Sequence, residues 1–308
     1  MSVLIVGSVA LDNVTTPHGE VKDILGGSAT HASYSASFFS PINLVGVVGK
    51  DFPNQYIDLL KQRNVSLDGL QIVDGKTFRW TGYYEYDMNH AYTLNTELNV
   101  FADFHPHIPE SYRDSEYVFL ANIDPVLQLE VLDQIHSPKF TALDTMNLWI
   151  QNKKEDLIKV ISKVDMVLLN DGEARMLCNT SNLLAAARQV LEMGPRIVII
   201  KKGEYGASMI TKDEVFIAPA YPLAAIYDPT GAGDTFAGGF MGYLASTGNP
   251  TNGNLRKAVV MGSTIASFNV EDFSLNRLTR LKPDEIRKRY SEFHTLTHFD
   301  PLHEREIN

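Results

Sequence analysis

The stretch "DPTGAGDTFAGG" occupies residues 228–239 and concentrates the residue types that handle anions and protons. Gly231 and Gly233 bracket Ala232, and Asp234 follows at once. Phe236, Ala237, Phe240, Met241 and Leu244 then recur at helical spacing, so the glycines stand at a helix N-terminus. Such a terminus presents free backbone N–H groups and a partial positive charge, and small residues let an anion approach closely. Two readings follow. Asp234 caps the helix, or the loop grips an anion, or both. An aspartate of ordinary pKa, about 3.9, is ionised at neutral pH. The loop is not a Walker phosphate loop, because Gly-Lys-Ser and Gly-Lys-Thr are absent from the sequence. Nor is it a dinucleotide fingerprint, because Phe236 stands where the third glycine belongs. Gly238, Gly239 and Gly242 weaken the helix intrinsically and make sense if it packs tightly on its neighbours.

Further candidates stand at the ends of apolar runs. Asn170 and Glu173 lie in "NDGE", which reads as Asn170 ending a strand and Glu173 solvated in the first turn of a helix. Lys201 and Lys202 close another run and offer positive charge to an anion. Asp144 in "DTMNLWI" stands at a strand end, the edge where open α/β sheets bind ligands, or in a helix-capping loop. The nine histidines include no His-Glu-x-x-His. The single cysteine, Cys178, excludes a disulfide framework and a cysteine-rich zinc site within one chain.

These residues need a scaffold, and the chain reads as one. Apolar runs at 3–7, 43–48, 117–122, 140–145, 165–170 and 196–201 lack strict alternation, as strands covered on both faces do. Helical patterns at 28–39, 52–63, 126–136, 153–162 and 182–192 separate them. The sum is a βαβ series, hence a mostly parallel sheet with helices on both sides. Beyond residue 234 the pattern is helical, apart from short loops at 248–253 and 272–283. Residues 78–95 break the rhythm with period two: Phe78, Trp80, Gly82, Tyr84 and Tyr86 share one face. They read as a hairpin standing off the main sheet, either an edge hairpin on the core or a lid that doubles as a dimer surface.

With 308 residues, 44% apolar and 21% charged, the chain can build one large core plus an embellishment, or two domains. A net charge of −10 argues against general binding to nucleic acid or anionic membranes. The N-terminal "MSVLIVGSVALDNV" has no basic leader and reads as a buried first strand, so a reducing, cytoplasmic setting is expected. The C-terminal "THFDPLHEREIN" reads as a polar tail that frays.

Taken with its flanks, 228–239 closely resembles the C-terminal motif of the ribokinase-like (PfkB) carbohydrate kinase family. Other stretches agree in the same order: "GSVALDNV" (7–14), "GGSATHAS" (26–33), "NDGE" (170–173), "KKGEYGA" (201–207) and "VEDFS" (270–274). The resemblance implies a ribokinase-like three-layer α/β/α sandwich with a mostly parallel central sheet and a small β-sheet lid. It places the core at 1–11, 23–76 and 106–308 and the lid at 12–22 and 77–105. It implies ATP-dependent phosphorylation of a hydroxyl on a small sugar or nucleoside, with Asp234 as base and Gly231, Ala232 and Gly233 as the anion hole. Asp12, Gly26, Gly27 and His31 would bind the acceptor; Asn170, Lys201 and Gly203 the nucleotide; Glu173, with Asn170, magnesium through water. Asp228 and Thr230 would hold a potassium-like cation. Three positions depart from the family pattern: His31 replaces an asparagine, Lys201 a threonine and Pro53 a glycine. The first leaves the substrate open between sugar and nucleoside. Two alternatives share the fold: a kinase for hydroxymethyl heteroaromatics, and a non-catalytic sugar or nucleotide sensor. The lid counts against the former and intact Asp234 against the latter.

Overall fold

The computed structural model describes residues 1–300; residues 301–308, most of the polar C-terminal tail, lie outside the described residues. Thirteen strands are formed among them: β1 (Val3–Val6), β2 (Ala10–Thr16), β3 (Gly19–Gly26), β4 (Ile42–Gly49), β5 (Val65–Val73), β6 (Phe78–Tyr84), β7 (Ala91–Glu97), β8 (Tyr117–Leu120), β9 (Phe140–Asp144), β10 (Met166–Asn170), β11 (Ile197–Lys201), β12 (Ala207–Ile210) and β13 (Val215–Ala218). Nine of them make the central sheet, in the order β13-β12-β11-β10-β9-β8-β1-β4-β5. All neighbours from β11 to β5 are parallel, and β12 and β13 add an antiparallel edge.

The short apolar runs become strands because both of their faces are covered. In β1, Val3 and Ile5 enter one hydrophobic core while Leu4 and Val6 enter the other. The first core is completed by helices Ser28–Ala36, Ala232–Thr247 and Asn252–Asn269; the second by Pro125–Leu132, Lys154–Ile161, Asp171–Cys178 and Leu183–Glu192. Each fully buried Val, Leu or Phe contributes about 1.5–3 kcal/mol, so a sheet buried on both sides is the dominant favourable term. The expected three-layer sandwich is present.

Topology then decides where a ligand can sit. The chain leaves β1 for β4 and β5 on one side, then crosses back to β8 on the other. That reversal opens a crevice beyond the carboxyl ends of the strands. Asp144, Asn170 and Lys201 are the last residues of β9, β10 and β11, and Asn170 and Lys201 lie opposite each other in the parallel ladder.

A second sheet, in the order β3-β2-β6-β7, stands over that crevice. The hairpin read at 78–95 is here as β6 and β7, with a turn at 85–90. Tyr86 falls in this turn and is 93% exposed, so it does not share the strand face expected for it. Much of the aromatic surface is used within the lid: Trp80 covers Gly82 and donates to Thr93 Oγ1 at 3.0 Å, and Tyr83 stacks on Tyr92 at 4.9 Å. Tyr84 instead reaches the core, where Thr230 Oγ1 donates to its hydroxyl oxygen at 3.3 Å. At the tip, Asn89 Nδ2 donates to Glu204 Oε1 at 3.4 Å. At the other end His18 lies 5.0 Å from the Tyr227 ring, and Phe273 packs on Gly19. The lid is therefore closed on the core.

Candidate active site

The helix Ala232–Thr247 is seated by its small residues. A methyl group at Gly238 would collide with the Ala32 carbonyl, and one at Gly242 with the backbone of Ala36. Ser35 Oγ donates to the Thr235 carbonyl at 2.7 Å, and Ser40 Oγ to that of Gly242 at 2.9 Å. The glycines thus let Ser28–Ala36 and Ala232–Thr247 touch backbone to backbone, which accounts for their cost in helix propensity.

The N-cap of this helix is Gly231, left-handed at φ 71°, without a side-chain cap. Asp234 sits two residues inside the helix, so the capping reading of this acid is overturned. The Ala232 N–H is taken by the Pro229 carbonyl at 3.1 Å, closing a turn. This corrects the three-amide expectation, because that N–H is spent on the protein itself. Among the described residues, no acceptor takes the amides of Gly231 or Gly233. Those two donors, at the positive end of a sixteen-residue helix, can hold an anion.

Asp234 is half-buried beside them. Burial, reinforced by Asp144 and opposed by Lys201, pushes its carboxyl up to about 7. The ordinary aspartate pKa expected from sequence is therefore wrong for this site: the group is poised at neutrality, as a proton acceptor needs. Lys201 Nζ bonds Asp144 Oδ2 at 2.6 Å and would stand 3.1 Å from a methyl group at Gly233. The ammonium thus lies against the free amides, and burial raises the Asp144 carboxyl despite the partner. Asp144, noted in the sequence only as an acid at a strand end, is the counter-ion that keeps a buried lysine charged.

Asn170 and Glu173 form a reciprocal capping box: Asn170 N–H donates to Glu173 Oε2 at 2.7 Å and Glu173 N–H to Asn170 Oδ1 at 2.8 Å. The helix-start reading is right for Asn170, but Glu173 is buried rather than solvated. Its carboxyl is pushed up to about 7, first by burial, with Lys201 opposing and Asp144 reinforcing. Lys201, Asp144, Glu173 and Asp234 therefore share one electrostatic neighbourhood. Gly203 opens the turn after β11, at φ 53°, under the lid residue Asn89.

On the lid side, Asp12 of β2 lies flat against Gly26, where any side chain would overlap its carboxylate. Burial, then Asp228 and Asp234, push Asp12 up to about 8. Gly27, at φ 95°, starts the helix carrying His31 and presses on the Ser8 carbonyl. The imidazole of His31 packs directly on Gly231, so it adjoins the free amides. It is 1% exposed, neither ring nitrogen is in good hydrogen-bond geometry with a partner, and burial, opposed by the neighbouring Asn269, pushes its pKa down to about 4. His31 is thus a neutral imidazole with unmet hydrogen-bonding capacity at the junction of the two glycine motifs.

Asp228 is buried and accepts backbone N–H groups from Thr230 at 2.9 Å and Ser274 at 3.2 Å. Asn269, silent in the sequence, donates to the Thr230 carbonyl at 3.0 Å and accepts from Thr235 Oγ1 at 3.1 Å. The "VEDFS" stretch does meet the loop, through Ser274. One expected set is therefore assembled around the N-terminus of a single helix: Asp12, Gly26, Gly27 and His31 on one side, Lys201, Asn170 and Glu173 on the other.

Against this geometry, the model of the pfkB family carbohydrate kinases matches residues 3–279. The chain belongs to the pfkB family. It is a kinase of the sugar and nucleoside kind, a phosphotransferase with an alcohol acceptor, and membership implies use of ATP. The pfkB chain is 31% identical to the cytidine kinase of Thermococcus kodakarensis, over 81% of this chain and 90% of that one. It is 27% identical to a nucleoside kinase of Methanothermobacter thermautotrophicus, over 84% and 82%. The crystal structure of Methanocaldococcus jannaschii nucleoside kinase superposes with a TM-score of 0.75 at 21% identity, covering 94% of this chain and 98% of that one. Burkholderia thailandensis nucleoside kinase in complex with inosine gives 0.73 at 19%, covering 97% and 100%. The family read from the motifs, and its fold, are borne out. Among the described residues, no helix is long and apolar enough to cross a membrane.

Proposed function

We propose that this kinase transfers the terminal phosphoryl group of ATP to a ribose hydroxyl of a nucleoside. One observation carries the reaction: a carboxyl poised near neutrality, Asp234, stands beside two unclaimed amides at a helix N-terminus, under a closed lid. Asp12, with Gly26, Gly27 and His31, orients the acceptor. Asp234 takes the hydroxyl proton as the new P–O bond forms. The amides of Gly231 and Gly233, with Lys201, hold the charge that collects on the transferred group. Gly203 and its turn receive the nucleotide phosphates. Similarity to a cytidine kinase, and to a fold neighbour solved with inosine, supports a nucleoside over a free sugar.

Magnesium supplies charge neutralisation on the phosphates when it enters with ATP. Among the described residues, no three ligating side chains gather into a cage. That fits an ion carried mainly by phosphates and water, with Glu173 as its protein neighbour. The Asn170 side-chain oxygen is already used in the helix cap. Asp228 would hold a monovalent cation: it is buried, and its carboxylate is met by the N–H groups of Thr230 and Ser274. Thr230 holds the same loop. The lid segments 12–22 and 77–105 move over the core as the acceptor arrives. The outer strand β7, with Leu94 66% exposed, offers its edge to a second copy.

The test is a panel of nucleosides and free pentoses with ATP and magnesium, scored by ADP release and by the mass of the phosphorylated product. A nucleoside should exceed ribose in kcat/KM by about tenfold or more, since a base adds binding energy that a bare sugar lacks. A preference for ribose would reverse the substrate assignment, and absence of transfer to every acceptor would remove the reaction.

A further inference from the structure

Thr230 is the residue immediately before the left-handed Gly231, and its three polar groups are all engaged. Its N–H donates to Asp228, its carbonyl accepts from Asn269, and its hydroxyl donates to Tyr84. The first two partners belong to the core. The third belongs to β6 of the lid. The lid thus supplies the last of the three bonds that hold the corner before the Gly231 and Gly233 amides.

We propose that Tyr84 is a positioning residue for phosphoryl transfer, tying acceptor-driven lid closure to the geometry of the anion hole through Thr230. The idea rests on the site reading above and goes beyond it, since it assigns the lid a part in assembling the donor end. Three features support it. The Thr230–Tyr84 distance, 3.3 Å, is long for a hydroxyl pair, which prefers about 2.7–2.8 Å, so the bond has room to tighten when an acceptor binds. Trp80 on Gly82 and Tyr83 on Tyr92 are occupied within the lid sheet, whereas the Tyr84 hydroxyl reaches the loop before Gly231. Burial and the charges of Asp228, Asp12 and Asp234 keep the phenol protonated, so it remains a hydrogen-bonding hydroxyl at every working pH. Tyr84 does not touch the reacting atoms in this account. It acts through Thr230.

The prediction separates this role from packing and from substrate contact. Tyr84→Phe keeps the ring and removes the hydroxyl. With ATP and cytidine, or the panel nucleoside turned over fastest, its kcat should fall about three- to tenfold, the worth of one neutral hydrogen bond. Both KM values and the thermal midpoint should stay near wild type. Thr230→Val should lose a similar or larger factor, and the double variant should be no slower than the slower single variant. A wild-type kcat in Tyr84→Phe, a change confined to acceptor KM, or losses that multiply in the double variant would each overturn the proposal. Asp234→Asn in the same assay keeps the two readings apart. If it turns over normally, the site itself is misassigned. If it is inactive while Tyr84→Phe is normal, only the role of Tyr84 fails.

Discussion

Asp12, Glu173 and Asp234 each bind a proton more tightly here than in water, and burial is the first cause in all three. For Asp234 the consequence is kinetic. Below about pH 7 the carboxyl fills with a proton and cannot accept another, so kcat should fall with unit slope as pH drops from neutrality to 5. Asp234→Asn should lose about 10²- to 10⁴-fold in kcat while still binding ATP, as measured by steady-state rates and nucleotide-induced thermal shift. For Asp12 the consequence is a stability effect whose sign follows from linkage. A carboxyl whose folded pKa is raised to about 8 contributes stability that is fully present below its unfolded value, near 3.8, and lost as pH rises through 8. Asp12→Asn should therefore match wild type in thermal midpoint near pH 4 and exceed it by about 2 °C or more at pH 9, while turnover collapses. A midpoint difference that does not grow with pH would show that Asp12 carries no buried charge.

At the scale of elements, the contact between Ser28–Ala36 and Ala232–Thr247 is the one the site depends on most. Gly238→Ala would drive a methyl into the Ala32 carbonyl and should cost about 1–3 kcal/mol or more, with a lower thermal midpoint and poor soluble yield. Gly253→Ala is the control: nothing lies within 4 Å of its methyl, so it should be neutral or gain up to about 1 kcal/mol. The tightness of this packing was legible in the sequence, because three glycines in one helix have a cost that only close approach repays. The strands with continuous apolar runs were legible for a similar reason, since being covered on both faces leaves its mark on composition. The β2–β3 hairpin has no strand pattern of its own, and only the resemblance assigns 12–22 to the lid sheet. Its outer half, from Gly19 to Ile24, is largely exposed and polar, so it lacks the apolar pattern. Strands β5, β12 and β13 escaped because they lie at or near the sheet edges and are covered less evenly. Within the site, Asp234, Asp12 and Lys201, singled out by the order of motifs, are gathered around one helix N-terminus. The Lys201–Asp144 pair and Asn269 depend on tertiary geometry, which spacing along the chain does not encode, and the spent amide of Ala232 depends on the local turn back to Pro229.

At the scale of the molecule, the base of the lid is anchored by Arg79 and Thr77 on Asp51, while its far parts meet the core through few contacts: Tyr84 on Thr230, Asn89 on Glu204, His18 beside Tyr227 and Phe273 on Gly19. Few contacts mean a low cost of opening. Limited proteolysis should cut the exposed turn at 85–90 in the free protein and slow by several-fold once a nucleoside is bound. Equal cutting in both states would argue for a lid that stays in place throughout turnover. The crevice beneath it is lined by Asp12, Asp144, Glu173, Asp228 and Asp234 around the single ammonium of Lys201. An uncharged nucleoside enters such a place without electrostatic penalty. Once phosphorylated, the same molecule carries about two negative charges, and each of these acids that has lost its proton, as Asp12, Glu173 and Asp234 do above about pH 8, repels it. On the proposed reaction, the acidic lining therefore gives the traffic a direction, hastening departure of the finished monophosphate and weakening its competition with the next arrival.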